Sequence, residues 1–83
     1  MAKEKPIGKV IHYYDKINVA IVKLEKKLSV GTTVKFVKGD NVFEQTVESM
    51  EMKHGKLTVA KRGDEVGIKV DQTVKEGTLL YAV

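Results

Sequence analysis

The sequence predicts an all-β protein: a small, closed, antiparallel barrel of Greek-key type with about six to seven strands. Three observations carry that expectation: an excess of β-branched residues, short alternating runs, and glycines that punctuate the runs. Val and Ile number 18 against 9 for Ala and Leu, the reverse of helical usage, because β-branched side chains suit a pleated surface. Alternation is plainest in Thr33-Val34-Lys35-Phe36 and in Val66-Gly67-Ile68-Lys69-Val70. There Val34 and Phe36 share one face, as do Val66, Ile68 and Val70, and these are the inward positions. The pattern apolar-x-x-Gly-x-x-apolar occurs three times, as Leu28…Gly31…Val34, Ala60…Gly63…Val66 and Val74…Gly77…Leu80. Each sets a turn glycine ahead of a strand. The glycines lie 32 and then 14 residues apart, so one turn is reused and no repeat array is built.

In chain order the expected strands are Ile7 to Tyr14, Ile17 to Leu24, Thr33 to Lys38, Val42 to Lys53, Lys56 to Ala60, Glu65 to Val70 and Thr78 to Val83. Ile17-Asn18-Val19-Ala20-Ile21-Val22 is apolar on both faces, the pattern of a strand with one side in the core and the other under a loop or partner. The segment Phe43 to Lys53 changes phase midway: Phe43, Gln45 and Val47 alternate in one register, and Met50 and Met52 in the other. A bulge or corner near Glu48 and Ser49 reconciles them. His54-Gly55 then reads as a two-residue hairpin turn that returns Lys56 to Ala60 antiparallel to Met50 to Lys53. Pairing the first strand with the last removes the exposed sheet edges.

The chain of 83 residues suffices for one core, with residues 1–5 expected as a charged tail and 6–83 as a single barrel. It contains no Cys, so neither disulfides nor thiolate metal sites are expected, and a reducing, cytoplasmic setting is the default. No stretch approaches the roughly 20 apolar residues that cross a bilayer, and the charged N-terminus is not followed by a signal-like apolar run. The net charge of +4 tilts the molecule toward polyanions without the dense basic stripe of a dedicated nucleic-acid binder. The lysines are spread along the chain, as befits solvated strand faces.

The order of four motifs is more specific than any one of them: Gly8-Lys9-Val10, the Leu28-Ser29-Val30-Gly31 turn, Ser49-Met50-Glu51-Met52, and Ala60-Lys61-Arg62-Gly63-Asp64-Glu65-Val66-Gly67. Together, from about Ile7 to Val83, they resemble domain 2 of elongation factor Tu and related translation GTPases. The same barrel serves as an accessory module at the C-terminus of collagenase-like peptidases. The translation-factor resemblance implies contacts to the terminal adenosine of aminoacyl-tRNA: Glu51 matches the family's Glu, His54 stands where its Arg lies, and Glu65 replaces its Asn. A Glu at that place adds negative charge beside any phosphodiester.

Catalytic chemistry is not expected. The chain lacks a Gly-x-x-x-x-Gly-Lys-Ser/Thr phosphate loop, so nucleotide hydrolysis is excluded, and Gly31-Thr32-Thr33 and Gly63-Asp64-Glu65 each lead into a β run without a helix dipole. His12 and His54 have no further ligand at metal-site spacing, so neither metal nor cofactor is expected. Ser29 and Ser49 lack a nucleophile-elbow context. Glu48 and Glu51 fall on opposite strand faces unless a bulge intervenes, which disfavours a carboxylate pair. In His12-Tyr13-Tyr14, alternation sends Tyr13 one way and its neighbours the other, leaving a ring exposed near the Tyr14-Asp15-Lys16 turn. The candidate partner-binding residues are therefore Tyr14, Glu51, Lys53, His54, Lys56 and Arg62. The functions they suggest are a translation-factor-like module docking on RNA or the ribosome, or a protein-interaction module acting as accessory subunit of a separately encoded, peptidase-like enzyme.

Overall fold

The structure, a computed structural model, describes residues 5–52 and 55–83. It is all-β. Three hairpins are built from β1 (Gly8–Tyr14) with β2 (Val19–Leu24), β4 (Thr33–Lys38) with β5 (Asn41–Thr46), and β6 (Met50–Met52) with β7 (Gly55–Leu57). β9 (Glu65–Lys69) and β10 (Leu79–Ala82) complete the main sheet, and the short β3 (Leu28–Ser29) and β8 (Val59–Ala60) form a separate ribbon. The antiparallel order is β5-β4-β10-β1-β2-β9-β6-β7. The first strand therefore lies beside the last, Gly8 opposite Leu80, and β5 and β7 are left at the margins of the sheet.

The sheet curls because the inward faces of β1, β2, β4, β9 and β10 are apolar. Val10, Val22, Val34, Phe36, Val66, Ile68 and Leu80 are all fully buried, each side chain of this size contributing about 1.5–3 kcal/mol on burial. Val34, Phe36, Val66, Ile68 and Val70 point inward as the alternation predicts. Phe36 stacks on Phe43 across β4 and β5, ring centroids 4.9 Å apart. At the margin of β5 a side-chain amide takes the place of a strand ladder: Gln45 Nε2 donates to the Lys69 carbonyl and Gln45 Oε1 accepts from the Asp71 N–H, both at 2.9 Å. This clamp ties β5 to the end of β9, five places away in the sheet order, and gives the sheet its barrel-like closure.

The three glycine motifs are three copies of one turn. Thr32 N–H bonds Ser29 O, Asp64 N–H bonds Lys61 O, and Thr78 N–H bonds Lys75 O, with Gly31, Gly63 and Gly77 at φ 95°, 91° and 91°. Positive φ at the third residue of the turn alone is the type II geometry, which demands glycine there. The phase change in the Phe43 to Lys53 segment is a corner: β5 ends at Thr46, β6 begins at Met50, and buried Val47 between them exchanges backbone bonds with Gly31 and Thr32.

Two expected elements differ. The strand expected over Lys56 to Ala60 breaks at Thr58, whose carbonyl accepts the Val30 N–H, and its second half leaves the sheet to pair with β3. The turn expected at His54-Gly55 has Gly55 already in β7, opposite Met52 with φ 122°, while His54 and Lys53 lie outside the described residues. A bulge at Ile11 shifts the β1–β2 register between Val10 and His12. It reverses the inward phase, so that Tyr13, and not His12, packs on the core.

Gly8 marks the tightest approach in the fold, since a Cβ there would lie 2.6 Å from Val22 Cγ1 and 3.1 Å from the Lys23 carbonyl oxygen. Gly8→Ala is expected to lower unfolding free energy by about 1–3 kcal/mol through overpacking, read as a fall in the urea midpoint at constant slope. Gln45→Ala, which leaves the seam without both clamp bonds, is expected to cost a similar ~1–3 kcal/mol. A midpoint unmoved by Gln45→Ala would show that the seam holds without the amide.

Candidate functional site

Cross-strand partners share a face of the sheet, so the registers map the outer surface. One row runs Lys56 (β7), Glu51 (β6), Gly67 (β9), Ile21 (β2), His12 (β1), and the next runs Lys69 (β9), Val19 (β2), Tyr14 (β1). Val19 and Ile21 crowd the place that a Gly67 side chain would take: a Cβ there would sit 3.1 Å from Val19 Cγ1 and 3.4 Å from Ile21 Cδ1. The result is a shallow apolar shelf of Val19 and Ile21, half-buried, continued by Tyr14 at 48% exposure, and the adjoining β1–β2 turn exposes Ile17 at 59%. Ala20 and Val22, alternating with the shelf residues, are wholly buried. The strand that reads as apolar on both faces is so because it serves the core with one face and this shelf with the other.

The aromatic run resolves accordingly. Tyr13 packs on the core and donates its hydroxyl proton to Asn18 Oδ1 at 3.1 Å, and Asn18 accepts the strain of positive φ, 55°. Tyr14 projects outward with its ring edge-on to His12, centroids 4.4 Å apart, and His12 Nδ1 lies 3.2 Å from Glu76 Oε2. Both partners of that last contact are well exposed, so it adds little to stability.

Of the expected site residues, Glu51 and Lys56 are directly opposite each other on the outer face of β6 and β7, in the same row as Gly67 and Ile21. Tyr14 stands one row away, on the far side of the shelf. Arg62 is not part of this group: it sits in the turn before β9, beside Lys5, Lys9 and Lys26 in a separate groove. Lys53 and His54 lie outside the described residues. Sequence reasoning missed the role of Gly67, although an isolated glycine within a strand is itself a signal of close approach.

Among the described residues, two surface hollows have linings of distinct chemistry. One, about 310 Å³, lies below Phe36 and Phe43 and carries Lys38 and Lys75 as its titratable side chains. The other, about 600 Å³, is the groove containing Arg62. Neither sets a serine or carboxylate nucleophile beside a histidine. Among the described residues no three His, Asp or Glu side chains gather as a metal site, and no helix is long and apolar enough to cross a membrane.

No protein-family model matches the sequence. Over 76 residues, 90% of this chain, it is 36% identical to an uncharacterised protease of Methanocaldococcus jannaschii, of which those residues make up 19%. The chain thus spans about one fifth of the length of that relative. In structure it is similar to the C-terminal domain of a candidate U32 peptidase from Geobacillus thermoleovorans, at TM-score 0.88 and 20% identity, covering 100% of this chain and 98% of that domain. A selenomethionine variant of the same domain matches at TM-score 0.86 and 21% identity over 93% of this chain and 98% of the other. At those identities the structural likeness speaks to the fold. Of the two settings that the sequence resemblance offers, these matches fall in the peptidase one and not in elongation factor Tu.

Gly67→Ala separates the shelf from the core in energetic terms. Relief of glycine's backbone entropy offsets crowding against Val19, so the net stability change is expected to stay within about 1 kcal/mol, smaller than for Gly8→Ala under the same denaturant titration.

Proposed function

We propose that this barrel is a non-catalytic accessory module that docks on a peptidase-like catalytic domain. The observation that carries the reading is the 36% identity, over 90% of this chain, to a stretch making up 19% of a protease. The fold shared with the C-terminal domain of a candidate U32 peptidase supports it. So does the chemistry of the surface: the shelf of Val19, Ile21 and Tyr14, with Ile17 in the adjoining turn, offers an aliphatic and tyrosine character suited to the dry centre of a protein interface. A stable complex needs about 800 Å² from each partner, a modest share of the 5700 Å² that this molecule exposes. Docking on RNA or the ribosome, the other expected role, draws no support from the matches.

The test is calorimetric titration of the chain with a peptidase-like catalytic polypeptide from the same source. Association with a negative heat-capacity change is expected, since apolar surface leaves water. Ile17→Asp combined with Ile21→Asp is expected to weaken binding at least ~30-fold, about 2 kcal/mol, as for loss of an interface hot spot. Binding that is absent, or that is indifferent to both substitutions, would remove the shelf as the docking face.

A further inference from the structure

The groove around Arg62 is separate from the shelf and has a different chemistry. It forms where three segments are lashed together. The Ile7 carbonyl accepts from the N–H groups of Glu25 and Lys26, at 2.7 and 3.2 Å, joining the start of β1 to the chain just after β2. The Gly63 turn joins the same place, Gly63 N–H bonding Leu24 O and Leu24 N–H bonding Asp64 O, both at 2.9 Å. The concavity of about 600 Å³ so produced is lined by four cations, Lys5, Lys9, Lys26 and Arg62, against one carboxylate, Glu25. Its lining therefore carries a +3 balance drawn from residues that are dispersed along the sequence.

Two further observations bear on what the groove holds. Lys9 lies directly opposite Lys23 on the outer face, an arrangement of like charges that disfavours the sheet and that Glu65, opposite Lys23 on its other side, only partly offsets. Among the described residues, Lys5, Lys9, Lys26 and Arg62 make no ion pair with an acidic side chain. The lining contains no aromatic ring; its remaining members are Pro6, Gly8 and Leu79. Protein interfaces are depleted in Lys and are anchored by aromatic or aliphatic side chains, whereas Lys and Arg without rings are the equipment for phosphate contacts, which position a nucleic acid without reading its bases.

We propose that this groove binds the phosphodiester backbone of a nucleic acid, RNA in the first instance, without sequence preference. The docking shelf lies at the other end of the β1–β2 hairpin. Lys9 and Tyr14 are five residues apart along β1, or about 16 Å at strand rise, so polyanion and protein can be held at once.

The experiment is fluorescence anisotropy of the full chain with a labelled mixed-sequence RNA of about 20 nucleotides, a length that exceeds common single-strand site sizes. Affinity is expected to fall with salt, with a log–log slope of about −2 to −3 for up to four phosphate contacts on a single strand. Lys9→Glu with Arg62→Glu is expected to reduce affinity at least ~10-fold, and the milder Lys9→Gln with Arg62→Gln to lower the slope magnitude by about 1 to 2. Thermal melts check that each variant is folded, both native side chains being exposed. Lys16→Glu with Lys75→Glu, which alters net charge equally but lies outside the groove, is expected to retain most of the binding. Equal loss in that control would mean diffuse attraction and overturn the proposal, as would salt-insensitive binding or no binding. Polyglutamate of matched length binding as tightly as the RNA in the same buffer would overturn it in favour of an acidic peptide.

Discussion

The barrel-like closure depends on the amide of Gln45, which joins the margin of β5 to the end of β9 through bonds to Lys69 O and Asp71 N–H. A sheet whose inner face is apolar from β5 to β9 gains by rolling up, but rolling leaves two margins whose backbone groups need partners. The amide carries a donor and an acceptor in one plane and so satisfies one of each across the seam. With β5 held against the end of β9, Phe36, Val47, Met50 and Ile68 are enclosed together in one core. The corner at Val47 follows from the same requirement, because the chain must leave β5 before it can enter β6 on the far side of β9.

Closure of the inner face fixes what the outer face presents. The β1–β2 hairpin is central to both. Its inward residues fill the core, and its outward residues run from an apolar end, Tyr14 with Val19 and Ile21, to a basic end, Lys9 with Lys23. The bulge at Ile11 produces this division, since it lets Gly8 and Val10 point inward at one end and Tyr13 at the other while His12 and Tyr14 stay outside. Gly8 permits β2 to approach closely on the inner side and Gly67 leaves room for Val19 and Ile21 on the outer side. Two glycines in strands thus shape opposite faces of the same neighbourhood.

Of the residues expected to bind a partner, Glu51, Lys56 and Tyr14 fall within two adjacent rows of the outer sheet, whereas Arg62 belongs with Lys5, Lys9 and Lys26. The sequence resemblance to elongation factor Tu implied one ligand site of Glu51, His54 and Glu65. In the structure Glu51, opposite Gly67, and Glu65, opposite Lys23, share the outer face, and the comparisons lie with a protease and with the C-terminal domain of a candidate U32 peptidase. The apolar second face of Ile17 to Val22 was legible as a pattern, because alternation records both faces of a strand. Its extension onto Gly67 was not, because Gly67 lies 46 residues beyond Ile21 and meets it only through the β2–β9 register.

Local physics is what the sequence by itself determined: extended structure from β-branched residues, the inward faces of β4 and β9 from alternation, a corner near Glu48 and Ser49 from a change of phase, and three turns from glycines at one repeated position. Each of these depends on conformational preferences within a few residues. Tertiary structure alone decided the Gln45 seam, the departure of β8 to pair with β3, the Ile11 bulge, and the gathering of scattered lysines with Arg62 into one groove. Those outcomes turn on which distant backbone groups find partners once the sheet curls, and on side chains from separate segments sharing a surface, neither of which is encoded in any single stretch of chain.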